Sequence, residues 1–185
     1  TSAEHVRAAF GPGDVFTLDG GKCRGGIEST VLWLADGHAK ILRPGLISRE
    51  QISAVLGRSI AVSGEVPVSE DSATPMLSPG LLERHYAPSA MAVRFEASQT
   101  DVVLRRMALS GLGVMISHAN HAVQPPHRLI RMPGDAAGYA SRLYEALREA
   151  DELSPQLIAV ELPPIGPDPI WGAIHDRLRR ATQAF

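Results

Sequence analysis

From Met91 onward, short apolar runs alternate with amphipathic runs of helical period, and this alternation constrains the fold more than any other feature. Met91 to Phe95 reads as a strand. Ser98 is placed to cap a helix that runs to about Ser110 and ends at Gly111. Val114 to Ser117 and Leu129 to Met132 read as two more strands. Asp135 is placed to cap a long helix reaching Glu152, and Leu157 to Leu162 is a strongly apolar strand. The last helix is predicted over Ile170 to Ala184. Trp171, Ile174, Leu178 and Ala181 fall on one face of it, with Asp176, Arg179 and Arg180 on the other. Strands joined through helices cannot pair as hairpins. They pair side by side in the same direction, with helices laid across the sheet. The predicted class is therefore α/β, with a Rossmann-like, mostly parallel sheet over residues 89–185 that folds as a unit of its own. No Gly-x-Gly-x-x-Gly follows a strand, so the dinucleotide fingerprint is absent.

The first third has a different grain. Ser2 reads as the cap of a helix over Ala3 to Phe10, stopped by Gly11-Pro12-Gly13. Val15 to Leu18 is a short strand candidate, and Asp19-Gly20-Gly21-Lys22 is a turn. Ile27 to Leu34 is β-rich. Asp36-Gly37 signals a hairpin whose return strand is Ala39 to Leu42. Ser48 then caps a helix to Leu56, closed by Gly57, and Ile60 to Val62 is one more strand. From Ser63 to Pro75 the chain turns to Ser, Glu, Asp, Pro and Thr, the composition of a linker. The expected organisation is a first segment over residues 1–62, a linker over 63–88 and an α/β domain over 89–185.

Composition removes several classes of function. The chain has 185 residues, 44% apolar, and a net charge of -2 with both signs interspersed. Without a basic field, strong direct nucleic-acid binding is not expected. Cys23 is the single cysteine, so neither an intrachain disulfide nor a cysteine zinc site can form, and a reducing cytoplasmic setting is expected. No apolar run approaches the roughly 18 residues of a membrane span. The N-terminus carries no basic and apolar stretches of a signal peptide. It begins without Met on a helix-cap pattern, and the expectation is that this is not a natural start.

Three motifs carry candidate chemistry. In Asp19-Gly20-Gly21-Lys22-Cys23-Arg24-Gly25-Gly26-Ile27-Glu28-Ser29-Thr30-Val31, a glycine-dense loop lets backbone N–H groups approach a ligand and feeds a strand that opens on hydroxyls. On chemistry alone the plainer alternative is a β-turn with surface Ser and Thr. It is not a Walker A loop, because Cys23 follows Gly21-Lys22 and Phe stands at position 16. In Ile41-Leu42-Arg43-Pro44-Gly45, an Arg at a strand end presents a planar charged fork, or is an exposed Arg before a turn. In Ser78-Pro79-Gly80-Leu81-Leu82-Glu83-Arg84-His85-Tyr86-Ala87-Pro88, Ser78, Arg84, His85 and Tyr86 can reach a ligand, or form a corner anchoring the linker. His118, His121 and His127 follow the Val114 to Ser117 strand, where a parallel sheet opens its ligand crevice. No carboxylate accompanies them in sequence, and no metal site is expected.

Together these motifs resemble the long, two-domain form of the L-threonylcarbamoyladenylate synthases (the YrdC/Sua-type family). The first is similar to that family's Asp-Gly-Gly-x-Cys-x-x-Gly-x-Glu-Ser-Thr-Val run, with Leu32-Trp33 in place of the usual Val-Asp. The second matches its Arg-Pro-Gly. The third matches its Ser-Pro-Gly-Met-x-x-x-His-Tyr-Ala-Pro linker, with Leu81 for Met. The resemblance implies that Ser29 holds the threonine substrate and that Arg43 contacts ATP phosphate. It implies that Ser78 meets the nucleotide and that Arg84, His85 and Tyr86 are linker groups lying across the cleft and able to gate it. It also implies synthesis of threonylcarbamoyl-AMP from L-threonine, bicarbonate and ATP with Mg²⁺, for tRNA modification with downstream proteins as partners. Residues 1–62 resemble only the last part of the YrdC-like catalytic domain. The resemblance implies that the family's Ser-Ala-Asn and Lys-x-Arg elements fall before the first residue, and this chain by itself is expected to be an inactive fragment. The competing expectation is a non-catalytic α/β ligand-binding or regulatory module.

Overall fold

The computed structural model describes residues 2–11, 13–23, 25–35, 37–62 and 87–185. Ser78, Arg84, His85 and Tyr86 lie outside them. The second half is built on five parallel strands: β4 (Ala92–Phe95), β5 (Gly113–Ser117), β6 (Arg128–Arg131), β7 (Leu157–Glu161) and β8 (Gln183–Ala184). They stand in the order β6-β5-β7-β4-β8, and every pairing is parallel. The helices α3 (Thr100–Leu109), α4 (Ala136–Glu152) and α5 (Ile170–Ala181) make the crossovers.

The strands are apolar on both faces because the sheet is covered on both. Side chains alternate between the two cores, as a period of two requires. Val114, Ile116, Ile158 and Val160 pack with α4 and α5. Met115, Leu157, Ala159, Val93 and Phe95 pack with Val103 and Met107 of α3. Tyr139 and Trp171 meet edge to face across α4 and α5, with ring centroids 5.6 Å apart. Asp135 caps α4 as its sequence position predicts, its carboxylate accepting the Gly138 N–H at 2.8 Å.

Three expectations are corrected, and one residue lies where its face alone does not indicate. Ser98 does not cap α3. It sits in a 3₁₀ turn over Ala97–Gln99, where Gln99 Oε1 accepts the Glu96 N–H at 2.8 Å and the helix proper begins at Thr100. The last helix ends at Ala181, because Thr182 turns extended while its hydroxyl donates to the Leu178 carbonyl at 2.6 Å. The residues after it then pair with β4. Asp176, opposite the apolar stripe of α5, is itself buried. Val15 to Leu18 forms no strand, and Phe16 and Leu18 stand exposed.

The first segment carries α1 (Ala3–Ala9), a hairpin of β1 (Val31–Ala35) and β2 (His38–Arg43), α2 (Arg49–Leu56) and β3 (Ala61–Val62). β1 and β2 are antiparallel, and β3 runs parallel to β2. Ser48 and Gln51 form a reciprocal capping box on α2. The segment docks on α4 through Gly26 and Ile27. Ile27 is a member of the α4/α5 core. Gly26 has φ +64°, and a Cβ there would lie 2.3 Å from Ser141 Cα. Only glycine allows this backbone turn and this approach together.

Candidate functional site

Ser29 and Arg43, far apart in sequence, are brought together at the open end of the hairpin. Arg43 Nε donates to the Ser29 carbonyl at 3.2 Å. Thr30 Oγ1 donates to the Ile47 carbonyl at 2.6 Å and accepts the Ile47 N–H at 3.2 Å. Gly45 crosses the same strand so closely that a Cβ on it would stand 2.3 Å from the Thr30 nitrogen. The two motifs are thus one structural unit. The glycine and the threonine lock the strand and its return, leaving the Ser29 side chain exposed and the Arg43 side chain partly exposed beside it.

This unit is fastened to the sheet domain by a buried charge network. Glu28 receives Arg177 Nε at 2.5 Å and the Tyr144 hydroxyl at 3.1 Å from each carboxylate oxygen. Arg177 Nη2 donates to the Pro44 carbonyl at 3.0 Å, and Nη1 to Asp176 Oδ2 at 2.8 Å. Asp176 also takes Arg179 Nη2 at 2.6 Å and Arg180 Nε at 3.0 Å. The Arg177 side chain is 3% exposed. An ion so buried is tolerated only because each nitrogen is bonded.

Burial pushes the Glu28 carboxyl up, but the Arg177 hydrogen bond and charge, with Tyr144, hold it below the usual carboxylate range. Asp176 is lowered in the same way, with Arg180, Arg179 and Arg177 outweighing its burial. A carboxylate with a lowered folded value stabilises the fold above its unfolded value, and that contribution is lost as pH falls through the folded one. Docking of the first segment on α4 and α5 is therefore expected to hold at neutral pH and to fail below the ordinary carboxylate range. Amide exchange of residues 25–31, followed from pH 7 to pH 3, checks this. Uniform protection down to global unfolding would contradict it.

Two clefts flank the unit. One, of about 390 Å³, is lined by Cys23, Ile27, Glu28, Pro88, Tyr144 and Arg148. The other, of about 1210 Å³, runs between the hairpin and α5, lined in part by Pro44, Ser48, Val62, Trp171, His175 and Arg179. The chain leaves the described residues at Val62 in the second cleft and returns at Ala87 in the first.

The three histidines of the loop after β5 do not converge. His121 Nε2 lies 2.8 Å from Glu161 Oε2, His127 Nδ1 accepts the Gly113 N–H at 3.1 Å, and His118 Nδ1 is buried without a partner. Ser117 donates to the same Glu161 oxygen. Among the described residues no group of three or more His, Cys, Asp or Glu is placed to hold a metal ion.

The family model "Threonylcarbamoyl-AMP synthase, C-terminal domain" matches residues 47–183. The chain belongs to this family. Among its relatives, the threonylcarbamoyl-AMP synthase of Bacillus subtilis is 33% identical over 98% of this chain and 53% of its own length. That of Pyrococcus abyssi is 29% identical, again over 98% and 53%. The crystal structure of P. abyssi Sua5 complexed with L-threonine superposes with a TM-score of 0.77 at 29% identity, covering 98% of this chain and 53% of that one. The chain thus spans about half the length of the curated relatives it matches.

Sequence reasoning missed Arg177 and Tyr144, and left Glu28 without a role. The signal for Arg177 was available. It stands three residues after Ile174 and four before Ala181, within the apolar stripe of α5, where an Arg is admitted only with partners.

Proposed function

We propose that this chain is the C-terminal half of an L-threonylcarbamoyladenylate synthase, divided at residues 1–62, 63–88 and 89–185. In the complete enzyme L-threonine, bicarbonate and ATP combine. Bicarbonate carboxylates the threonine amine with loss of water, a carbamate oxygen attacks the α-phosphorus, the bond from that phosphorus to the oxygen bridging to the β-phosphate breaks, and pyrophosphate leaves with threonylcarbamoyl-AMP as product for tRNA modification. Chemistry of this kind depends on holding reactants in place and on neutralising phosphate charge. Ser29 is the group for threonine. Arg43 supplies a fixed cation to the ATP phosphates, and Ser78 meets the nucleotide from the linker. Arg84, His85 and Tyr86 close over the cleft. Mg²⁺ accompanies ATP, and the described residues offer no acidic cluster for it. The setting is the cytoplasm, and no described helix is long and apolar enough to cross a membrane.

The observation that carries this reading is the joining of the Glu28-Ser29-Thr30 and Arg43-Pro44-Gly45 motifs into one unit in a chain of this family. On this reading the remaining phosphate-binding groups lie in the half of the relatives' length that this chain does not span. The chain alone is therefore expected to release no pyrophosphate from ATP with threonine and bicarbonate. Robust release by this chain, with contaminating enzyme excluded, would overturn the division of labour.

A further inference from the structure

We propose that Arg177, on α5 of the sheet domain, is a positioning residue for the Ser29 and Arg43 site. The inference rests on the function proposed above, and the experiment separates the two. The three nitrogens of its guanidinium divide their bonds between the strand and its return. Nε takes the Glu28 carboxylate at 2.5 Å, next in sequence to Ser29. Nη2 takes the Glu28 carbonyl at 3.4 Å and the Pro44 carbonyl at 3.0 Å, next to Arg43. Nη1 is held on α5 itself by Asp176 at 2.8 Å. One planar group therefore touches the residue beside each proposed substrate contact.

Thr30, Gly45 and the Arg43–Ser29 bond keep the two motifs together, but they do not tie them to the sheet. Arg177 does, with Tyr144 adding a second hold on Glu28 from α4. A guanidinium at a site of planar, divided bonds is not replaced by an ammonium. Lysine keeps a charge for Glu28 but cannot span to Pro44. The sheet domain, on this account, sets where Ser29 and Arg43 stand relative to the rest of the active cleft. A misplacement of about 1 Å at such a site costs on the order of 100-fold in rate.

The test uses Arg177→Lys, with Tyr144→Phe as a milder variant that removes one hold on Glu28 and buries no new charge. Amide exchange is read on this chain, and steady-state kinetics on the complete enzyme. In Arg177→Lys, exchange over residues 28–30 and 43–47 is expected to rise by about 10-fold or more while the β5 and β7 amides keep their protection. In the complete enzyme, kcat/KM for threonine and for ATP is expected to fall by about 10-fold, with Tyr144→Phe moving both readouts the same way by less. Should Arg177→Lys not fold, Tyr144→Phe alone decides. Faster exchange with unchanged kinetics overturns the positioning role and leaves Arg177 a structural residue. Unchanged exchange overturns the proposal on its own. If the wild-type enzyme forms no product, the proposed function fails, and the exchange result still decides whether Arg177 fixes the two motifs.

Discussion

Gly26→Ala is expected to detach the first segment from the sheet domain. The substitution meets two costs at one position. The backbone at φ +64° disfavours a Cβ by about 1–2 kcal/mol. The Cβ itself would fall 2.3 Å from Ser141 Cα and 2.4 Å from the Ala140 carbonyl oxygen, both backbone atoms of α4 that cannot swing aside. Overpacking of this kind adds about 1–3 kcal/mol. The cheaper escape is for the loop to lift, which pulls Ile27 out of the core and Glu28 away from Arg177. Denaturant unfolding is expected to show a loss of several kcal/mol or a separate early transition, against Gly20→Ala as the control. Gly20 has no atom within 4 Å of an added Cβ. Equal stability of the two variants would contradict the docking described.

Arg43→Ala in the complete enzyme carries the largest expected effect on activity. Its guanidinium stands at the strand end before Pro44-Gly45, and one N–H is spent on the Ser29 carbonyl. Removing it is expected to lower turnover by about 10- to 100-fold, the loss of roughly 1.5–3 kcal/mol of charge-assisted hydrogen bonding. Arg43→Lys should not restore it, because the fork that meets two oxygens is gone. Melting temperature should move little, since a partly exposed Arg contributes little to folding. Ser29→Ala should instead raise the KM for threonine more than that for ATP. If Arg43→Ala leaves ATP kinetics intact, or unfolds the protein, Arg43 is structural.

The parallel sheet was legible because burial on both faces leaves long apolar runs such as Leu157 to Leu162, and because Asp135 and Ser48 announce their helices. The end of α5 was not legible. Ala181 continues the apolar stripe, and only the Thr182 hydroxyl bonded to Leu178 shows why the helix stops there and the chain joins β4. Val15 to Leu18 reads as a strand by its apolar residues alone, but a strand needs a partner, and sequence does not supply one. That the Ser29 and Arg43 motifs lie on one hairpin was readable from the turn signal between them. The fastening beneath them was not, since Glu28 and Arg177 are 149 residues apart and nothing local pairs them. Periodicity sets Asp176 opposite the apolar stripe of α5, and the residue is nonetheless buried. Its burial follows from Arg177, Arg179 and Arg180 converging on it, a gathering of charge that a hydrophobic pattern does not register.

The reading of this chain as the C-terminal half of an enzyme that makes threonylcarbamoyl-AMP rests on the joined hairpin motifs and the family match. Its most direct test is mass-spectrometric detection of the product from the complete reading frame, incubated with L-threonine, bicarbonate, ATP and Mg²⁺. The expected result is threonylcarbamoyl-AMP and an equal amount of pyrophosphate, both dependent on threonine and both reduced in Arg43→Ala. A complete, folded protein that yields neither would contradict it.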